Sequence, residues 1–431
     1  MSGSPGRLAW VGRGVWAVAD QGFFALSAFL INIVLARELG SAEYGAYNVA
    51  FTLYLLVGVP YSAMCLEPML VFGAGRFRDR LGPYLGWVFT LQGALTVGMS
   101  FLCAAAAGVS ALLKERELAL ALAGLTLSMP SMLFLWMVRK ACYIEMRPQA
   151  AAVAGAGNLA VTIGALWALG HMGWLTTFVA FVTMGVIGLG ASIALMAWLR
   201  VRPPGRGEKA LAREVLAEHW RYGRWAVATG TLHWIPGNLY SLTLPLWVGL
   251  DGSAALRSLM NLFMPIAQAN SALGILLLAV YVRHKAGGRL ERTVRWSVVF
   301  FLTSTVAYWL LLGIFYRPVM EWLYRGRYVE YGHLIWIFGL VPVVTSLCTV
   351  YGGVLRASER PDLVFWGQLA GTAVTITLGT VLTWRMGLQG AIIGMVLSFA
   401  VAAVTLWRMA RRPLPAAGGA AGKERADAQG G

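Results

Sequence analysis

Apolar runs of about twenty residues or more, parted by short polar breaks, cover most of this chain. A helix needs about 20 mainly apolar residues to cross a bilayer. That ruler marks twelve segments, at 14–36, 45–71, 83–110, 117–138, 150–170, 174–199, 224–249, 256–282, 295–316, 332–354, 363–384 and 387–407. The alternating pattern of a membrane barrel is absent, and backbone groups in hydrocarbon must bond within their own segment, so the spans are predicted as helices. The stretch Val15 to Gly45 sets the plan for the rest: an apolar run carrying Asp20, Gln21 and Asn32, then a polar elbow from Arg37 to Tyr44.

Composition agrees with this pattern. Of 431 residues 58% are hydrophobic and only 13% charged, against roughly 25% charged in soluble domains. The net charge of +16 does not indicate a nucleic-acid partner, because the basic residues fall between spans rather than on one soluble face. Twelve spans put 27 Lys and Arg residues on one side and 8 on the other, which predicts both termini in the cytoplasm and a multi-pass protein of the inner membrane. The first run is too long for a signal peptide and has no clear cleavage site, so it is read as a retained first helix. Cys65, Cys103, Cys142 and Cys348 lie far apart in apolar segments and read as small buried hydrophobes.

The longest loop divides the spans six and six. The expected organisation is an N-lobe at 1–200, a basic cytoplasmic linker at 201–223, a C-lobe at 224–410 and a disordered cytoplasmic tail at 411–431. In the linker, Leu211, Val215 and Trp220 could line one face of a short helix on the anionic leaflet; a solvated linker is the other reading. The two halves also look alike. At an offset of 212, Gly40-Ser41-Ala42 matches Gly252-Ser253-Ala254, and Pro130 falls on Pro342; at 213, Arg147-Pro148 matches Arg360-Pro361. Two copies of six spans share one orientation, related by an axis along the membrane normal.

No GxSxG, Walker lysine loop or HExxH occurs, and no enzyme activity, cofactor or metal site is expected. Ionisable groups inside spans are costly and so are candidates for function. Asp20 and Glu67 are expected at similar depth near the cytoplasmic ends of the first two spans. They could face each other or a cation, or be paired at the interface with Arg13 or Arg76. In the seventh span His233 and Asn238 flank Pro236, where a kink frees carbonyls. Arg37 and Arg257 stand at span ends facing the other side, while Arg139 and Arg356 close spans four and ten. Guanidinium groups suit bidentate phosphate contacts; ordinary loop charge is the alternative. The substrate or ion-path candidates are therefore Asp20, Gln21, Asn32, Arg37, Glu67, His233, Asn238 and Arg257.

The elbow Leu35-Ala36-Arg37-Glu38-Leu39-Gly40, followed by Glu43-Tyr44-Gly45, resembles the stretch after the first helix of polysaccharide and O-antigen flippases of the multidrug/oligosaccharidyl-lipid/polysaccharide exporter superfamily. Asp20-Gln21, Glu67-Pro68 and Arg360-Pro361 resemble positions in the polysaccharide branch. The resemblance implies an all-α integral membrane fold, MATE-like and V-shaped, with twelve helices in two pseudo-symmetric six-helix lobes. It implies a monomer flipping an undecaprenyl pyrophosphate-type lipid-linked glycan by alternating access, coupled to H+ or Na+, among membrane lipids. A drug/cation antiporter of the same fold and a membrane enzyme of glycan assembly are the competing expectations.

Overall fold

The computed structural model describes residues 7–199, 209–286, 288–358 and 360–411, and every regular element among them is helical. In the first half these are α1 (Arg7–Glu38), α2 (Ser41–Tyr61), α3 (Glu67–Ala74), α4 (Leu81–Leu112), α5 (Arg116–Ile144), α6 (Pro148–His171) and α7 (Thr177–Leu199). The second half holds α8 (Lys209–Thr243), α9 (Pro245–Val248), α10 (Leu250–Ala286), α11 (Leu290–Ile314), α12 (Tyr316–Tyr324), α13 (Ile335–Phe338), α14 (Leu340–Ala357), α15 (Pro361–Val374) and α16 (Thr380–Arg411). Residues 412–431 of the expected tail and 201–208 of the linker lie outside the described residues.

Among the described residues ten segments are long and apolar enough to cross a membrane. Two of the differences from the twelve expected have local causes. Pro361–Arg411 forms one 51-residue segment, which covers the last two expected spans. It bends inside α16 at Gly387 (φ 56°, ψ −132°), a conformation that a residue without a Cβ adopts at little cost. The seventh expected span runs over the end of α8 and through α9; neither is among the ten, and the apolar run of α8 is interrupted by His233, Pro236 and Asn238.

Contacts gather the described residues into two compact units. One takes in Met1–Trp234, Ser241–Asn261 and Glu321–Tyr328; the other takes in Ile235–Tyr240, Leu262–Met320 and Val329–Gly431. The first unit therefore contains the starts of α8 and α10 as well as the helices of the first half. Close helix approaches at small residues hold it together, as expected where lipid gives no hydrophobic drive between helices. A Cβ on Gly124 of α5 would sit 2.9 Å from the Phe178 carbonyl oxygen, and one on Gly185 of α7 would sit 2.6 Å from Ser128 Cβ. In the second unit a Cβ on Gly371 of α15 would lie 2.8 Å from the Ser398 carbonyl oxygen of α16. The internal repeat has a backbone counterpart. Arg147 enters α6 at φ −121°, ψ 56°, and Arg360 enters α15 at φ −120°, ψ 61°, each followed by proline.

The linker differs from both sequence readings over its described part. Lys209 onward is the first part of α8, a helix of 35 residues running to Thr243, so it is neither a separate interfacial helix nor a solvated loop. Leu211, Val215 and His219 are buried, whereas Trp220 is 58% exposed and belongs to another face. Arg76 pairs with Glu214 at 2.9 Å and Glu218 at 2.8 Å. The buried contact is more specific. Pro68 has no N–H for the carbonyl four residues back, that of Met64, which borders α3 in a π-helical turn at Ser62–Leu66. His219 Nδ1 lies 2.8 Å from this oxygen, and Nε2 lies 2.9 Å from Tyr84 Oη. A carbonyl only accepts, so Nδ1 carries the proton and neutral Nε2 accepts from the Tyr84 hydroxyl.

Burial holds His219 below its ordinary value of 6.5, against the opposing pull of the Met64 carbonyl. A lowered folded-state value means that the undocked state takes the proton first. Docking strength is thus level above pH 6.5 and falls by up to about 1.4 kcal/mol per pH unit below it, until the docked imidazole itself protonates. The protection factors of amides at 211–223, taken relative to the intrinsic exchange rate at each pH, should fall from pH 6.5 to 5 in the native protein and lose that step in His219→Gln.

Candidate functional site

Two buried polar clusters lie at different levels of α1. Asp20 and Asn32 are twelve residues apart, about 18 Å along a helix that rises 1.5 Å per residue.

The first cluster is built on Asp20, which is 1% exposed. Arg139 of α5 reaches its Oδ1 with Nη2 at 2.5 Å and Nε at 3.1 Å, and Nη2 also donates to the Asp20 carbonyl at 3.2 Å. The Tyr143 hydroxyl donates to Oδ2 at 2.8 Å, and Gln21 Nε2 does so at 3.2 Å. The guanidinium also lies over the Phe24 ring, 5.2 Å from its centroid. A charge taken out of water needs a partner and a full set of hydrogen bonds, and Asp20 has both. Lys140 stands next along α5, over the Tyr143 ring at 5.3 Å. Two cations against one carboxylate leave an excess positive charge, an arrangement that can receive an anion whenever Asp20 gives up Arg139.

The second cluster sits by the elbow. Arg257 of α10, 9% exposed, donates through Nε to Asn32 Oδ1 at 2.8 Å, and the Tyr44 hydroxyl donates to the same oxygen at 3.2 Å. Asn48 Nδ2 donates to Ser253 Oγ at 2.8 Å, and Tyr324 Oη donates to the Ser258 carbonyl at 3.0 Å. The elbow residues are spent on the same junction. Arg37 Nε donates to the Leu323 carbonyl at 2.8 Å, Glu38 pairs with Arg325 at 2.9 Å, and Arg327 donates to the Leu39 carbonyl. The Gly40 N–H donates to Glu43 Oε2 at 3.1 Å and starts α2. Gly45 is where α2 meets the start of α10: a Cβ there would lie 2.0 Å from the Leu250 carbonyl oxygen.

Of the residues singled out in the sequence, the structure brings Asp20 and Gln21 into one cluster and Asn32 and Arg257 into the other, with Arg37 beside the second. Glu67 does not face Asp20. It is exposed on α3 and partnered by the Tyr222 hydroxyl, while Asp20 takes Arg139, and Arg76 takes Glu214 and Glu218; the Arg13 side chain is not described. His233 is exposed and Asn238 half-buried, and the two fall in different units. Arg139 and Tyr143 were missed as candidates. The expected fourth span ends at 138 with Arg139 closing it, but α5 continues to Ile144 and carries Arg139 inside the helix. The missed signal is the register: Arg139 and Tyr143 are four apart and share a helical face. Among the described residues no group of three His, Cys, Asp or Glu side chains is placed to hold a metal ion.

No protein-family model matches the chain. Among curated proteins it is similar to the EPS I polysaccharide export inner membrane protein EpsE of Ralstonia solanacearum, at 26% identity over 435 residues and 94% of each chain. Among solved structures it shares its fold with an inward-facing multidrug resistance MATE family transporter of the MOP superfamily (TM-score 0.73, 15% identity, 92% of this chain and 97% of that one). The lipid II flippase MurJ in an inward closed conformation also has this fold (TM-score 0.67, 13% identity, 92% and 87%). The chain is thus an all-helical membrane protein of the MATE fold, and the proteins it resembles are transporters and flippases rather than enzymes.

Proposed function

We propose that this protein carries a lipid-linked oligosaccharide or polysaccharide precursor across the cytoplasmic membrane, by alternating access between two six-helix lobes. The observation that carries the reading is the buried Asp20–Arg139 pair with Lys140 beside it, a site with surplus positive charge in a membrane-spanning fold. The full-length similarity to a polysaccharide export protein supports the same cargo. A pyrophosphate head group offers Arg139 the same bidentate geometry as a carboxylate and more negative charge. Protonation of Asp20, or its neutralisation by Na+, would release the guanidinium to the cargo; return of the carboxylate charge would expel the cargo. Coupling and binding are then one exchange at one arginine. The Asn32–Arg257 junction would close the path at the extracytoplasmic end while the head group loads from the cytoplasm.

In a deletion strain, lipid-linked sugar should accumulate in the inner leaflet. Asp20→Asn, which keeps an acceptor for Arg139 and removes the charge, should fail to relieve the accumulation when compared at equal membrane abundance. Unchanged intermediates combined with loss of cationic dye efflux would establish a drug antiporter instead.

A further inference from the structure

A groove of about 740 Å³ runs between α6 and α7 of the first unit. It is lined by Gln149, Ala150, Val153, Ala154, Gly157, Asn158 and Val161 of α6 and by Ile187, Gly190, Ala191, Ala194, Leu195 and Trp198 of α7. From Gln149 to Val161 the groove follows α6 for about 18 Å, over half of a hydrocarbon core of about 30 Å.

Some glycines on these helices are pressed by neighbours: a Cβ on Gly185 would lie 2.6 Å from Ser128 Cβ, and one on Gly170 would lie 2.8 Å from Glu38 Cγ. At Gly157 and Gly190 a Cβ would meet nothing within 4 Å. Helix packing therefore does not require these two glycines, and their effect is to keep the groove open. Small positions repeat at three- to four-residue steps on both walls, Ala150, Ala154 and Gly157 against Gly190 and Ala194, so the trough is notched once per helical turn.

The mouth is charged and unneutralised. Arg147, the residue before α6, holds its guanidinium over Trp198, 5.0 Å from the ring centroid, and the positive end of the α6 dipole opens beside it. The repeat supplies an internal control. Its counterpart Arg360 is bound by Asp362 at 2.8 Å, a carboxylate whose own counterpart in the first half is Gln149. Among the described residues Arg147 has no such ion pair. An apolar trough open at the side, with a free guanidinium and a helix N-terminus at its end, matches a long chain ending in an anionic phosphate.

We infer that the α6–α7 groove holds the polyisoprenyl chain of the phosphate-linked carrier, with Arg147 on its phosphate. The inference rests on the transport reading for its ligand. A branched isoprenoid, with a methyl at every fourth backbone carbon, suits the notched walls better than a smooth acyl chain, and the glycines admit it.

The test uses the full-length protein in nanodiscs with undecaprenyl phosphate bearing a terminal diazirine. Labelling should map to peptides of α6 and α7 and be competed by unlabelled undecaprenyl phosphate. Gly190→Leu and Gly157→Leu have room for their side chains and should fold as the native protein does, with labelling lost. Arg147→Gln should weaken labelling about tenfold, as expected for one charge-assisted contact. Equal competition by dioleoyl phosphatidic acid would overturn the inference and make the groove an ordinary lipid site; undiminished labelling of folded Gly190→Leu would overturn it as well. Labelling is read without transport, so the groove stands if deletion leaves lipid-linked sugars unchanged, and the transport reading stands if labelling fails.

Discussion

Asp20→Ala is expected to destabilise the protein by about 3–5 kcal/mol, because it leaves the Arg139 charge buried without its partner. The carboxylate accepts from both nitrogens of the Arg139 fork as well as from Tyr143 and Gln21, so its loss orphans several donors at once. Arg139→Ala should cost a similar amount for the mirror-image reason. The paired change Asp20→Leu with Arg139→Met removes both charges and keeps most of the volume, and apolar replacement of a buried pair is often neutral or better. The double variant should therefore recover most of the thermal stability in detergent and still fail in transport, since no guanidinium is left to exchange. That split separates a structural pair from a working one: a double variant that is stable and transports would remove Arg139 from the mechanism. If Asp20→Ala melts with the native protein, the pair is not tightly coupled.

This prediction could not have been written from the sequence, although half of it was visible there. Asp20 and Asn32 announce themselves because polar groups in an apolar run are expensive in hydrocarbon. Their partners do not. Arg139 lies 119 positions from Asp20 and only a few residues inside the end of its helix, where an arginine reads equally well as loop charge. Arg257 was noticed at a span end, but its bond to Asn32 crosses 225 positions, and no periodicity within either helix encodes that distance. The elbow was legible as a resemblance without a reason. The structure supplies one: Arg37, Glu38, Leu39 and Gly45 meet the segments Leu323–Arg327 and Leu250. In the linker, hydrophobicity groups Leu211 and Val215 with Trp220, yet Trp220 lies on another face. The buried stripe runs 211, 215, 219 at steps of four, and its third member is a histidine whose partner is a carbonyl left free by a proline.

Gly45→Val should uncouple the elbow from α10 while leaving the protein inserted and folded. A Cβ at this position falls 2.0 Å from the Leu250 carbonyl oxygen, where ordinary contact begins at 3.4 Å. The obstacle is backbone, so no rotamer change relieves it. Overpacking of a close-fitting site costs about 1–3 kcal/mol, but here the two helices can part instead of melting. Parting them breaks the bond from Asn48 to Ser253 and draws Arg257 from Asn32, the contacts proposed to close this end. With Cys at 48 and 253, a short thiol crosslinker should join α2 to α10 efficiently in the native background. In the Gly45→Val background the yield should drop about tenfold, the population shift that roughly 1.4 kcal/mol produces. Gly45→Ala carries the same first atom and should show the same loss. If crosslinking is unchanged in either variant at normal membrane abundance, the elbow contact is not what closes this end, and the glycine of the elbow sequence has another purpose.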